Sequence, residues 1–342
     1  SAVLLMVFSG GWAGLQGQAV SAPEWDTALA EFSARLAEDV RADGVGGITA
    51  GVVVGRDLVW AQGFGWADTE KRIPAGVNTI YRTGSISKSF TAVALLQLCE
   101  RGFLSLQDPV ESVLPELSGV RSTPPGSDPV TFLHLASHTA GLIREPLLDG
   151  AATGPLEEWE SQLLASIPTT EFFAPPGETY QYSNIGFGIL GYSLSRATGI
   201  PFMELVTSSI IRPLGMGSTG FTVTAEMAEH LSTGYENRRD GSIDAETPAR
   251  EHTGRGYKVP NGGVYSTVGD LARFIAGLTG AATVPLLGPE SRALIRKSHT
   301  PPDSSGRYSL GFRLWTRDDI TLVGHTGSVS GYTAAMPVSY TH

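Results

Sequence analysis

Thr83-Gly84-Ser85-Ile86-Ser87-Lys88-Ser89-Phe90 opens a run that stays apolar as far as Cys99, and its reading decides the fold. An α-helix turns once per 3.6 residues, so side chains three apart share a face. If a helix begins here, the Lys88 amine lies beside the Ser85 hydroxyl. A lone serine is a poor nucleophile, and a neighbouring neutral amine makes it a competent one. Ser87 also flanks the lysine, but adjacent helical positions point apart, so Ser85 is the candidate. Ala92-Val93-Ala94-Leu95-Leu96 leaves the helix apolar on nearly every side, which places it in the centre of the molecule. Glu100-Arg101-Gly102 closes it.

Upstream, Trp25, Leu29, Phe32, Leu36 and Val40 recur at spacings of four and three, the pattern of an amphipathic helix over 24–42. Ile48–Val54 and Leu58–Phe64 are β-rich runs joined by Gly55-Arg56-Asp57, a hairpin signal. Downstream, 121–255 reads as short helical patterns broken by Pro and Gly. Strand-like text returns at Tyr308–Trp315, Ile320–His325 and Tyr332–Val338. The order predicts an α+β fold in which an antiparallel sheet is assembled from both chain ends and flanked by helices, with a mostly helical lobe inserted. The boundaries read as 23–120 plus 256–342 for the sheet domain and 121–255 for the insertion. Residues 1–22 stand apart: Ala2-Val3-Leu4-Leu5-Met6-Val7-Phe8 and the small residues ending Gln18-Ala19-Val20-Ser21-Ala22 resemble the remnant of a secretory signal, which predicts a secreted or periplasmic protein.

Composition narrows the functions. Among 342 residues, 41% hydrophobic and 17% charged describe a globular chain. A net charge of −10 argues against nucleic-acid binding, which needs basic stripes. No run of about 18 apolar residues predicts a transmembrane helix. The single cysteine, Cys99, excludes an internal disulfide and a Cys-rich metal site.

Two further motifs stand downstream of Ser85. Tyr182-Ser183-Asn184 follows a Pro175-Pro176-Gly177 turn, and its phenol can shuttle a proton where a neighbouring ammonium favours the ionised form. His325-Thr326-Gly327-Ser328 ends a predicted strand, where the imidazole can orient substrate and the glycine can let substrate backbone lie close. Together with Ser85-Ile86-Ser87-Lys88, these resemble the three signature boxes of the serine β-lactamase-like superfamily, in the branch of class C β-lactamases, DD-peptidases, family VIII esterases and β-lactamase-like peptidases. Ser137-His138-Thr139-Ala140-Gly141-Leu142, Pro213-Leu214-Gly215-Met216 and Gly262-Gly263-Val264-Tyr265-Ser266-Thr267 support the likeness, which spans roughly 45 to 338.

The resemblance implies roles. Ser85 becomes acylated, Lys88 takes or relays its proton, and Tyr182 acts as base and then as acid to the leaving group. Asn184 binds substrate amide or Lys88, while His325, Thr326 and Gly327 line the substrate pocket. The backbone N–H groups of Ser85 and Ser328 form the oxyanion hole. The expected activity is hydrolysis of a small ester, a D-amino-acid peptide or a β-lactam, without metal or organic cofactor. Histidine at 325, where most true β-lactamases carry lysine, favours esterase or peptidase over a dedicated β-lactamase; a penicillin-binding sensor that does not turn over is a further alternative. The family continues after this box into another strand and a long terminal helix, whereas the sequence ends at His342. A truncated chain with a break between the two halves of the sheet and impaired stability is therefore expected.

Other patterns are weaker. Gly84-Ser85-Ile86-Ser87-Lys88-Ser89 echoes a phosphate-binding loop but lacks the glycine before lysine. His134 and His138 share helical i, i+4 spacing without the glutamate or third ligand of a zinc site. Glu157, Glu158 and Glu160 read as a solvated helix face rather than paired glycosidase acids.

Overall fold

The computed structural model describes residues 2–8, 22–317 and 320–339. Among them, strands β1 (Ala2–Phe8), β2 (Gly47–Val54), β3 (Asp57–Asp68) and β4 (Ile73–Pro74) come from the N-terminal part. β5 (Tyr81–Arg82) leads into the serine motif and pairs with β8 (Tyr265–Ser266); β6 (Glu236–Asn237) and β7 (Ile243–Asp244) form a second small ladder. β9 (Arg307–Tyr308), β10 (Arg313–Arg317), β11 (Ile320–Val329) and β12 (Tyr332–Ser339) complete the main sheet, ordered β4-β3-β2-β1-β12-β11-β10-β9.

The β2–β3 hairpin forms where the β-rich runs meet their turn, with Val54 opposite Asp57. Helix α1 (Ala22–Asp43) lays its apolar stripe on β3, where Phe32 meets Trp60 edge-on at 5.9 Å. The apolar run after Ser85 becomes α2 (Ser87–Glu100), with every residue from Ser87 to Leu98 buried. Phe90 stacks on Phe274 of helix Val268–Thr279 at 4.0 Å, tying α2 to the layer that packs against β2 and β3. Short helices follow: α3 (Phe132–Ala136), α4 (Trp159–Ser166) and the longer α5 (Asn184–Thr198). The fold is α+β, with helices packed against the main sheet.

Two features depart from expectation. The predicted break between the sheet halves is absent, because β1 fills it. Ala2 lies opposite both Ile48 of β2 and Thr333 of β12, and β1 runs parallel to each neighbour, while the other ladders of this sheet are antiparallel. A leader core and a strand paired on both sides are both short apolar runs, so composition does not separate them. The small-residue part of the expected leader, 9–21, lies outside the described residues. Second, the predicted strand Tyr308–Trp315 is two strands, β9 and β10, separated by a turn in which Gly311 has φ +75°. That turn lies against α2: Gly311 N–H donates to Ala136 O, and Ser89 Oγ donates to Gly311 O at 3.0 Å.

Candidate active site

The serine is placed by the turn between β5 and α2. Gly84 has φ +52°, in the left-handed region open to glycine, and a Cβ there would stand 2.9 Å from Ser328 N. Gly327 answers from β11: its Cβ would overlap the Thr83 carbonyl and stand 3.2 Å from Ser85 N. These two glycines let β11 press against the serine turn, so the Ser85 and Ser328 amides become neighbours. Close packing of protein on protein is thus the structural demand at Gly327, in place of the room for substrate anticipated from the strand motif. Ser87 is spent on structure, since its hydroxyl donates to Gly84 O (2.8 Å) and accepts from Val264 N–H (3.0 Å).

Lys88 is fully buried, and its amine has three partners: Ser85 Oγ at 3.1 Å, Asn184 Oδ1 at 2.8 Å and Asn261 O at 3.1 Å. Two of these are carbonyl oxygens, which only accept. A neutral amine satisfies both with its two N–H bonds and keeps its lone pair for the Ser85 hydroxyl. Burial, followed by the charge of Arg144, holds the Lys88 pKa well below its usual range, while Glu145 opposes the shift.

Tyr182 sits at the end of a segment docked on 138–145. Ser183 caps α5 by accepting from Gly186 N–H (3.0 Å) and donates to Ile143 O (2.8 Å). Its own N–H donates to His138 Nδ1 at 3.1 Å. The Tyr182 ring lies 4.9 Å from Lys88 Nζ, and its hydroxyl interacts with Ser85. Burial pushes the phenol up to about 12, outweighing the Ser85 contact and the nearby arginines. At pH 7 such a phenol is neutral.

His325 departs furthest from its expected place. Its ring is 0% exposed and contacts Tyr308 Oη (2.9 Å) and Thr326 O (2.6 Å). The carbonyl can only accept, so Nδ1 carries the proton and Nε2 accepts from the tyrosine. Burial pulls the pKa down to about 3, so no cation stands at this position. The imidazole braces the strand rather than facing the cleft, whereas Thr326 and Ser328 are exposed. The His134/His138 pair also dissolves: α3 ends at Ala136, and His138 lies beyond it with φ +60°. His134 Nδ1 accepts from Thr131 N–H, as part of the α3 cap.

Two features escape the motifs. Glu145 accepts from Asn184 Nδ2 (2.6 Å) and Tyr257 Oη, and pairs with Lys258 Nζ at 3.2 Å. This carboxylate orients the Asn184 amide so that its oxygen faces Lys88. Arg144 and Arg313, both exposed, lie over the Tyr182 ring at 4.9 and 5.3 Å. An arginine two residues beyond Gly311 on a neighbouring strand is one available signal; Glu145, in a loop after Ser137–Leu142, offers none. The assembly joins a serine, a buried amine, a phenol and two adjacent backbone amides, the parts needed for acyl transfer. No group of side chains suited to hold a metal ion occurs among the described residues.

Known proteins share this fold. The octameric penicillin-binding protein homologue from Pyrococcus abyssi superposes with a TM-score of 0.74 at 28% identity, over 89% of this chain and 69% of that one. The D-stereospecific amidohydrolase from Streptomyces sp. gives 0.70 at 27% identity, over 89% of each. The D-alanyl-D-alanine-carboxypeptidase/endopeptidase AmpH of Escherichia coli is 28% identical over 261 residues, 75% of this chain and 63% of AmpH. The sequence model of one family, Beta-lactamase, matches residues 32–339 and takes in the serine turn, the α5 cap and β11 alike. By sequence and by fold, the chain belongs to the Beta-lactamase family.

Proposed function

We propose that the protein is a serine hydrolase that forms an acyl-enzyme at Ser85 and cleaves an amide or ester in a substrate bearing a carboxylate. The observation that carries this reading is the Lys88 amine, 3.1 Å from Ser85 Oγ with its other two contacts both carbonyl acceptors. Ser85 Oγ attacks the substrate carbonyl carbon while its proton passes to Lys88 Nζ. The oxyanion forms between the Ser85 and Ser328 amides. Tyr182 gives its phenolic proton to the leaving nitrogen or oxygen and regains one from the neighbouring Lys88 ammonium. Water then attacks the ester, the same groups running in reverse.

Substrate class is argued from charge. With His325 buried and neutral, the exposed Arg144 and Arg313 are the cations beside Tyr182. Arginine suits bidentate recognition of carboxylate. A D-amino-acid peptide fits this better than a neutral ester, and AmpH and the Streptomyces amidohydrolase are named for such chemistry. Action outside the cytoplasm belongs to the same proposal.

Mass spectrometry after exposure to a fluorescent penicillin and a p-nitrophenyl ester tests the nucleophile. Both adducts should form on the natural chain and vanish with Ser85→Ala; an adduct persisting in the variant overturns the assignment. Steady-state hydrolysis of D-Ala-D-Ala peptides tests the substrate. Arg313→Gln should raise KM tenfold or more and leave turnover of a neutral ester unchanged.

A further inference from the structure

On the far side of β5 lies a cavity of about 220 Å3 whose lining includes none of Ser85, Lys88, Tyr182 or Asn184. Two arginines form its polar end. Arg82, on β5, has 1% of its side chain exposed, and Arg255 has 14%. Both converge on one carboxylate oxygen: Arg82 Nη1 and Arg255 Nη1 each lie 3.0 Å from Glu251 Oε2. The other oxygen of Glu251 accepts from Ser330 Oγ at 2.7 Å. His252, also lining the cavity, adds no charge, because burial and the nearby Arg82 pull its pKa to about 4.

Two imbalances follow. Two guanidiniums against one carboxylate leave an excess positive charge in a buried place, which is costly unless a counter-charge arrives. The donors are also unmatched: Arg82 Nη2 and Arg255 Nε are buried without an acceptor, and Arg255 Nη1 approaches Glu251 off the line of its N–H. The lining also holds the apolar side chains of Leu156, Phe221, Val223 and Val259. A guanidinium pair short of one acceptor, in a cavity also lined by apolar side chains, has the complementarity of a small amphiphilic acid.

We propose that this cavity is a second ligand site that takes a small monocarboxylate, its oxygens accepting from Arg82 and Arg255 and its hydrocarbon part resting on Phe221, Val223 and Val259. One negative charge neutralises the site, whereas a dianion would overshoot. The site is placed to communicate with the serine. Arg82 directly precedes the Thr83–Ser85 turn, and Ser330, held by Glu251, lies two residues beyond Ser328.

Calorimetric titration of the full chain with butyrate, benzoate and inorganic phosphate at pH 7 tests the assignment. Butyrate or benzoate should bind saturably and more tightly than phosphate. Val223→Trp, which enlarges a half-buried lining side chain, should weaken binding at least tenfold, as should Arg255→Gln. Arg313→Gln, which removes a cation beside Tyr182, should leave it unchanged. Absence of saturation, tighter phosphate binding, binding undiminished in Val223→Trp, or loss of binding in Arg313→Gln would each overturn the proposal, the last by moving the acid to the serine cleft.

Discussion

Around Lys88, orientation and charge are set by different neighbours. Burial first, then Arg144, Lys258 and Arg255, press the amine toward its neutral form, and the buried, neutral rings of His138 and His325 add no further charge. Glu145 pulls the other way, while its hydrogen bond aims the Asn184 oxygen at Nζ. Its own carboxyl stays below the ordinary range, because the Tyr257 hydrogen bond and Lys258 outweigh the effect of burial. Glu145→Gln separates the two effects. The glutamine amide can donate where the carboxylate accepted, so Asn184 is free to turn, and kcat should fall about ten- to hundredfold, as for loss of a charge-assisted hydrogen bond worth about 1.5–3 kcal/mol. Because the carboxylate favours the ammonium, its removal lowers the Lys88 pKa. If the free amine is the working form, the rising acid limb of kcat/KM should move to lower pH in this variant. A limb moving upward would show that Lys88 works as its ammonium.

At the scale of elements, the site is a joint between one turn and one strand. Gly84 and Gly327 are the places where β11 and the serine turn touch, so Gly327→Ala should separate the two amides more than it unfolds the molecule. Loss of one oxyanion donor costs about 10²–10³ in rate. Single-turnover acylation should drop by that order while β-lactam binding before acylation is retained; an acylation rate within threefold of the natural chain would contradict the geometry. Within α2, Phe90→Ala removes a ring stacked on Phe274, and a loss of about 3–5 kcal/mol in denaturant unfolding is expected. Much of this joint could be read from sequence. An unbroken apolar run announces α2, the hairpin residues announce β2 and β3, and Ser85, Lys88, Tyr182 and Asn184 come together because they sit at element starts, where short-range patterns speak. Glu145 and Tyr308 could not be read, because each meets its partner only through tertiary packing. His325 was legible as a position but not as a buried one, since exposure depends on the strand beside it.

For the whole molecule, acid should be destabilising. Folded His325 does not take a proton until near pH 3, and His252 near 4, whereas unfolded imidazoles do so near 6.5. The unfolded state therefore binds more protons between these values, and stability falls as pH drops through that window. His325 alone contributes a slope of about 1.4 kcal/mol per pH unit. Melting temperatures from pH 7 to 4 should decline, and less steeply in His325→Gln; a flat profile would contradict the buried neutral ring. Deleting residues 1–8 should leave β2 and β12 facing each other with open edges, with lower stability and more aggregation on gel filtration. The place of β1 also fixes an order of events. Ala2 rests beside Thr333, so the gap it enters does not exist until the ribosome has added β12. Until then the first strand can pair on one side only, with β2. Bringing such remote segments together is an intrinsically slow step, and while it is pending any other extended chain can take the vacant place.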